Sequence, residues 1–246
     1  MKFGFVLLAV GAALCVPPSP LAAQSDERAF SGWVGLVSTP AGALPPILVV
    51  PPATGAPGTL FQLRYGRWGF PVGDGHTNSL GAAASFPTGT ARTTLELGIS
   101  TRSECAPNCR AVIGGADVNI PLRVTVTAPR TPTDYVFSIA LNPAVGFMKA
   151  VGDNGDGYAL SLSGSVPFSV SFRAGRFVRI APFLSPGAGV GRVGSNSNSQ
   201  SGFRWMLGGG VALAGITPGV QLTGSFRKIF IDEGPTTFGL GLTIGQ

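Results

Sequence analysis

Between residues 59 and 245, apolar side chains return at every second position in one segment after another, and few folds accept that pattern. The clearest case is 90–100, TARTTLELGIS. Ala91, Thr93, Leu95, Leu97 and Ile99 fall on one face there, and Arg92, Thr94, Glu96 and Gly98 on the other. The stretch 236–245 sets Phe238, Leu240, Leu242 and Ile244 against Gly239, Gly241 and Thr243. In 202–215, Phe203, Trp205, Leu207, Val211 and Leu213 oppose Arg204 and several glycines. In 218–231, Val220, Leu222, Phe226 and Phe230 oppose Gln221, Thr223, Ser225 and Arg227. Weaker versions occupy 59–69, 78–86, 110–123, 134–147, 158–170 and 176–192. A period of two belongs to a strand with two unlike faces. Ten such segments result, each roughly the 9–11 residues that a tilted strand needs to cross a bilayer.

Composition closes off the alternatives. Charged residues make up only 11% of the 246, against 44% hydrophobic, with a mean hydropathy of +0.35. Disorder needs the reverse balance, and an ordinary soluble enzyme carries about 25% charged residues. Glycine (37) and proline (21) are scattered without a collagen period. Beyond the first 23 residues there is neither helical periodicity nor an apolar run long enough for a spanning helix. The chain is expected to be all-β.

The first 23 residues read as a secretory signal peptide. Lys2 precedes the apolar run 3–16, and Leu21-Ala22-Ala23 offers a cleavage site before Gln24. Its removal takes away Lys2 and Cys15 and lowers the net charge from +6 to +5. Residues 24–58 form a Pro/Gly-rich N-terminal extension, and 59–246 the β-barrel domain. Cys105 and Cys109 remain, in the run Cys-Ala-Pro-Asn-Cys. In an exported chain two cysteines at that spacing, around a turn-forming Pro107-Asn108, point to a disulfide.

Long polar connections at 70–77, 101–109, 148–157, 193–201 and 231–235 alternate with short ones at 87–89, 170–175 and 215–218. The long 124–133 segment breaks the rule. Pro121, Pro143, Pro167, Pro182 and Pro186 fall inside strands and mark strand ends or bulges, since proline cannot donate to a ladder. The expected fold is a closed antiparallel up-and-down transmembrane β-barrel of about ten strands, with eight or twelve as alternatives. A soluble sandwich would also alternate. It would carry more lysine on its wet face, however, and beyond the leader only Lys149 and Lys228 occur. Tyr65, Trp68, Phe86, Tyr135, Phe147, Tyr158, Phe183 and Phe203 lie near expected strand ends, where interfacial girdles form. Arg64, Arg92, Glu96, Asp117, Arg123, Arg204 and Arg227 fall on the non-apolar face and are expected to form a lumenal charged network.

Arg179-Ile180-Ala181-Pro182-Phe183, Gly187-Ala188-Gly189-Val190-Gly191, Gly208-Gly209-Gly210-Val211-Ala212 and Phe238-Gly239-Leu240-Gly241-Leu242 resemble the late strands of small bacterial outer-membrane β-barrel proteins. The resemblance covers 59–246 and implies architecture rather than activity. It departs at the C-terminus, where such barrels commonly end in an aromatic residue and this chain ends in Gln246.

Chemistry-bearing residues are sparse. His76, in Asp74-Gly75-His76, is the only histidine; with Asp153 and Asp156 it would make an unconvincing hydrolase site, because order and spacing differ from the outer-membrane proteases. Asp153-Asn154-Gly155-Asp156-Gly157 lacks the later glutamate of a calcium loop. No metal site, no cofactor and no catalytic residue are expected. The expected partners are outer-membrane lipid and the barrel insertion machinery. Without a clustered Lys/Arg stripe, nucleic acid is not among them. The sequence favours a structural or surface-exposed barrel with a lumen largely filled by side chains over a narrow porin-like channel for small solutes or anions.

Overall fold

A computed structural model describes residues 58–69, 76–102, 110–127, 135–151, 157–174, 178–195, 199–215, 217, 219–230 and 236–245. The leader, the extension as far as residue 57, and Cys105 and Cys109 lie outside the described residues. Eleven strands follow in order: β1 (Leu60–Gly69), β2 (His76–Thr88), β3 (Ala91–Arg102), β4 (Arg110–Thr127), β5 (Tyr135–Val151), β6 (Gly157–Ser165), β7 (Phe168–Ala174), β8 (Val178–Ser195), β9 (Ser199–Ala214), β10 (Val220–Phe230) and β11 (Thr236–Gly245).

All pairings are antiparallel and, except at β6 and β7, join sequence neighbours; β1 pairs with β11 from Leu60↔Gly245 to Gly69↔Thr236, which closes the ring. β6 and β7 share one position in the wall. β5 pairs with β6 through Asn142↔Ser165 and with β7 through Ile139↔Phe168, and β8 flanks both on the other side. The barrel therefore has ten staves, the sixth in two pieces. The expected single strand at 158–170 is corrected to this broken stave, which runs on to Ala174.

The break falls at Val166-Pro167, where Pro167 has no N–H to give. Each side keeps one bond across it: Ala140 N–H donates to the Pro167 carbonyl (3.1 Å) and Val166 N–H to the Pro186 carbonyl (2.9 Å). Pro121 likewise sits at a bulge, where the β4–β5 register shifts between Pro121 and Arg123. Parity continues across the broken stave (Ser165 to Ser169) but shifts by one at the Pro121 bulge, where Arg123 comes into register with Ile139. Pro143, Pro182 and Pro186, expected at strand ends or bulges, instead keep regular register inside their strands.

Two expectations about the ends change. β4 runs on to Thr127, so the first four residues of the expected 124–133 connection are strand. β9 starts at Ser199, which shortens the 193–201 connection. The two barrel ends therefore differ little in connection length. The start of β1 and the end of β11 lie together at one end, here the terminal end; the 70–75 and 103–109 connections lie at the far end. The tight turn joining β2 to β3 at the terminal end uses Gly89 at φ 65°, a left-handed backbone that suits glycine.

The wall is inverted relative to a soluble protein. Outward positions hold Phe61, Leu63, Leu80, Leu95, Leu97, Ile99, Leu160, Trp205, Phe238 and Leu240, all strongly exposed. Inward positions hold Gln62, Arg64, Ser79, Ser85, Thr94, Glu96, Ser100, Asp117, Asn119 and Ser138, all buried. An apolar belt around a polar interior is stable only with hydrocarbon outside, which is the design of an outer-membrane-type barrel.

Phe183 corrects one girdle expectation. Its parity on β8 is inward and it is buried with Ala212 and Ala181. Gly210, its partner on β9, leaves room for the ring. A Cβ at Gly210 would meet the Phe183 ring at 2.9 Å and collide with the Gly224 carbonyl oxygen. Gly210→Ala is expected to cost about 1–3 kcal/mol by overpacking. The urea midpoint of the barrel in vesicles measures it, and an unchanged midpoint would show that β9 and β10 separate freely.

Candidate functional site

The polar side chains that converge inside the barrel come from β1, β3, β4 and β10. Alternation sets Arg64 on the inner face of β1 and Glu96 on that of β3, with the small residues Gly81 and Ala83 of β2 between them. With so little side chain intervening, Arg64 Nη1 donates directly to Glu96 Oε2, and both side chains are almost wholly buried. Arg64 Nε also donates to Gln62 Oε1 (2.7 Å), and Gln62 Nε2 to Thr243 Oγ1 (2.9 Å), which ties the pair to β11.

Asp117 sits beside Thr94 in the β3–β4 register and hydrogen-bonds its side chain. With its amide turned to the satisfied orientation, Asn142 of β5 donates to Asp117 Oδ1 at 3.3 Å. Arg227 of β10 lies within electrostatic reach of Glu96, Arg64 and Asp117. The result is a quartet of two arginines and two carboxylates inside the lumen, formally balanced in charge. That balance matters because an uncompensated charge in a largely desolvated interior costs several kcal/mol.

The other expected members stand apart from the quartet. Arg92, near the terminal end, donates to Ser85 Oγ (3.2 Å) and to the carbonyls of Gly58 (2.9 Å) and Ser85 (3.1 Å), which anchors the start of β1. Arg204 is inward on β9 and donates to the Phe203 carbonyl at 2.7 Å. Arg123 lies on β4 just past the bulge, and its side chain is outside the described ones.

The opposite wall had no counterpart in the sequence reading. Ser138, Ser161, Ser169, Ser171 and Ser185 are buried on the inner faces of β5 to β8. Ser161, Ser163 and Ser165 pair with Gly191, Gly189 and Gly187, so each hydroxyl faces a residue without a side chain. Ser138 and Ser169 hydrogen-bond each other, and Arg179 Nη1 donates to Ser171 Oγ at 2.9 Å. The signal was present as serine at alternate positions of 161–171, but serine is so common in turns that charge drew the eye first.

His76 opens β2 at the far end with its side chain on the outward face, across the wall from the lumenal carboxylates. Asp74, Asp153 and Asp156 lie outside the described residues. Among the described residues no group of three or more His, Cys, Asp and Glu is arranged to hold a metal.

No protein-family model matches the chain, and no curated protein matches it. Several solved structures are similar to it. The translocator domain of the autotransporter NalP from Neisseria meningitidis has a TM-score of 0.36 at 14% identity, covering 76% of this chain and 88% of that one. Ail, the attachment invasion locus protein of Yersinia pestis, has a TM-score of 0.32 at 12% identity, covering 76% and 95%. Omp33 of Acinetobacter baumannii has 0.29 at 11%, covering 78% and 100%. These likenesses are loose, and the assignment rests on the wall itself. Ten closed staves, a greasy exterior and a hydrogen-bonded polar lumen make this chain a transmembrane β-barrel of the outer-membrane type.

Proposed function

We propose that the protein serves as a structural or surface-exposed outer-membrane barrel whose lumen is blocked by its own side chains. The observation that carries this reading is the charge-balanced quartet of Arg64, Glu96, Asp117 and Arg227, reaching inward from both sides of the β1–β11 seam. Ten strands enclose a narrow interior that side chains of this size can fill, since barrel width grows with strand number. The proposal includes no catalytic step.

A second reading, a narrow channel, has its own support. Arg64 Nη2, Ser79 Oγ, Glu96 Oε1, Asn119 Nδ2 and Arg204 Nε are buried without a protein partner among the described residues. Such groups ordinarily bind water, and together with the serine-lined wall they suggest a hydrated thread past the quartet.

Planar-bilayer recording separates the two. The blocked barrel is expected to show no reproducible conductance steps, whereas Arg64→Ala with Glu96→Ala is expected to introduce them. Regular open steps in the wild type would replace the first reading with the second. In that event Arg92→Ala is expected to lower anion preference if Arg92 lines the path.

A further inference from the structure

Among the described side chains, the charges on the outside of the barrel lie at one rim and are cationic in type. Outward parity places Arg67 on β1, His76 on β2, Arg110 on β4, Lys149 on β5, Arg192 on β8 and Lys228 on β10, every one close to the far end of its strand. Among the described side chains, none facing outward at the terminal end is charged, and the only two acidic side chains, Glu96 and Asp117, are lumenal.

Three of these cations fall within four adjacent staves, on β4, β5 and β8, with β6 between the last two. Arg110 is in register with Val151 across β4–β5, Lys149 with Tyr158 across β5–β6, and Leu160 with Arg192 across β6–β8. Adjacent staves lie about 5 Å apart, so the three side chains span roughly 15 Å of rim. Tyr158 lies flat on the wall because its neighbour is Gly194: a Cβ there would meet the ring at 2.6 Å. One turn of pleat toward the bilayer, the Phe147 ring lies on Gly114 in the same way, also at 2.6 Å from a Cβ. Val112, Phe147 and Leu160 continue this smooth apolar strip below the cations and are all exposed. Arg192 Nη2 is steadied by Ser199 Oγ at 3.0 Å. Glu104, Asp153 and Asp156 flank the patch in sequence and fall outside the described residues.

We propose that this patch binds a phosphorylated membrane lipid. Its headgroup phosphates sit among Arg110, Lys149 and Arg192 with the Tyr158 hydroxyl, and its acyl chains lie along Phe147, Val112 and Leu160. The charge complementarity is that of a polybasic surface with an anionic leaflet, and the apolar strip directly beneath it is what a free anion would not need. The same rim assigns the far end to the leaflet richer in lipid phosphate, a question that connection lengths leave open.

The test uses the full chain in phosphatidylcholine nanodiscs doped with diphosphoryl lipid A, with retained lipid counted by native mass spectrometry. The wild type is expected to retain diphosphoryl lipid A and not its dephosphorylated form. Millimolar inorganic phosphate is expected to leave it bound. Arg110→Gln with Lys149→Gln and Arg192→Gln should cut retention about tenfold or more, at roughly fivefold per cation. Arg67→Gln with Lys228→Gln, on the opposite side of the rim, should retain lipid as the wild type does. Heat-modifiable gel mobility verifies folding, and should the triple variant not fold, Lys149→Gln alone is expected to lose about fivefold. Wild-type retention in the folded triple variant, or in all three single variants, overturns the proposal. So does equal retention of the dephosphorylated lipid. Full displacement by inorganic phosphate would reduce the patch to an ion site and overturn the lipid assignment.

Discussion

Arg64→Ala is expected to destabilise the barrel by about 3–5 kcal/mol, because it strands Glu96 in a largely desolvated interior. Both members of the pair are almost wholly buried, and Arg64 also braces Gln62, which reaches Thr243 on β11. The loss therefore loosens the β1–β11 seam that closes the ring. The double variant Arg64→Met with Glu96→Met removes both charges at similar volume and is expected to recover most of the loss, since replacing a whole buried ion pair is often neutral. Urea unfolding in lipid vesicles supplies the four corners of this double-mutant cycle. Additive losses, with no recovery in the double variant, would show that the two groups are independently solvated and that the quartet is no plug. Single losses below about 1 kcal/mol would place the pair in the surface-like regime and favour the hydrated channel.

The second large effect concerns the outer face. Leu97→Arg puts a guanidinium on the lipid side, where Leu97 is now 60% exposed. It is expected to cost about 2–4 kcal/mol if the position is near the midplane. Leu97→Ala should cost clearly less, because it removes apolar contact without importing a charge. Arginine at a nearby inward position of the same strand, Ser100→Arg, is expected to be limited by space and by its electrostatic surroundings, not by lipid. Equal tolerance of arginine and alanine at Leu97 would mean that water, not hydrocarbon, bathes this face.

Much of the architecture was legible because alternation is a one-dimensional record of a two-sided wall. Nine of the ten staves fall on segments recognised by parity, from 59–69 to 236–245, and the remaining one was recognised as a single strand. What escaped was decided between strands. The break at Val166-Pro167 depends on the carbonyls of Pro167 and Pro186 being used by neighbours. The inward turn of Phe183 depends on Gly210 lying opposite, a pairing that only register reveals. Arg64, Arg92, Glu96, Asp117, Arg204 and Arg227 were legible as inward-parity charges, but only the folded wall brings Arg64 to Glu96 across the small residues of β2. The outward cations were passed over because each looks isolated in sequence. Lys149 and Arg192 are far apart along the chain and meet only because β6 is the one stave between β5 and β8. Counting parity together with distance from the strand end would have found them.

Spin labels placed one at a time from 94 to 100 on β3, in the protein reconstituted in vesicles, address which solvent wets the wall. Oxygen collects in hydrocarbon and a nickel chelate stays in water. Labels at 95, 97 and 99 are expected to collide readily with oxygen and hardly at all with nickel, and labels at 94, 96, 98 and 100 should lose that oxygen preference. Nickel-dominated collisions at 95, 97 and 99, or no alternation between odd and even positions, would contradict a lipid-facing β3.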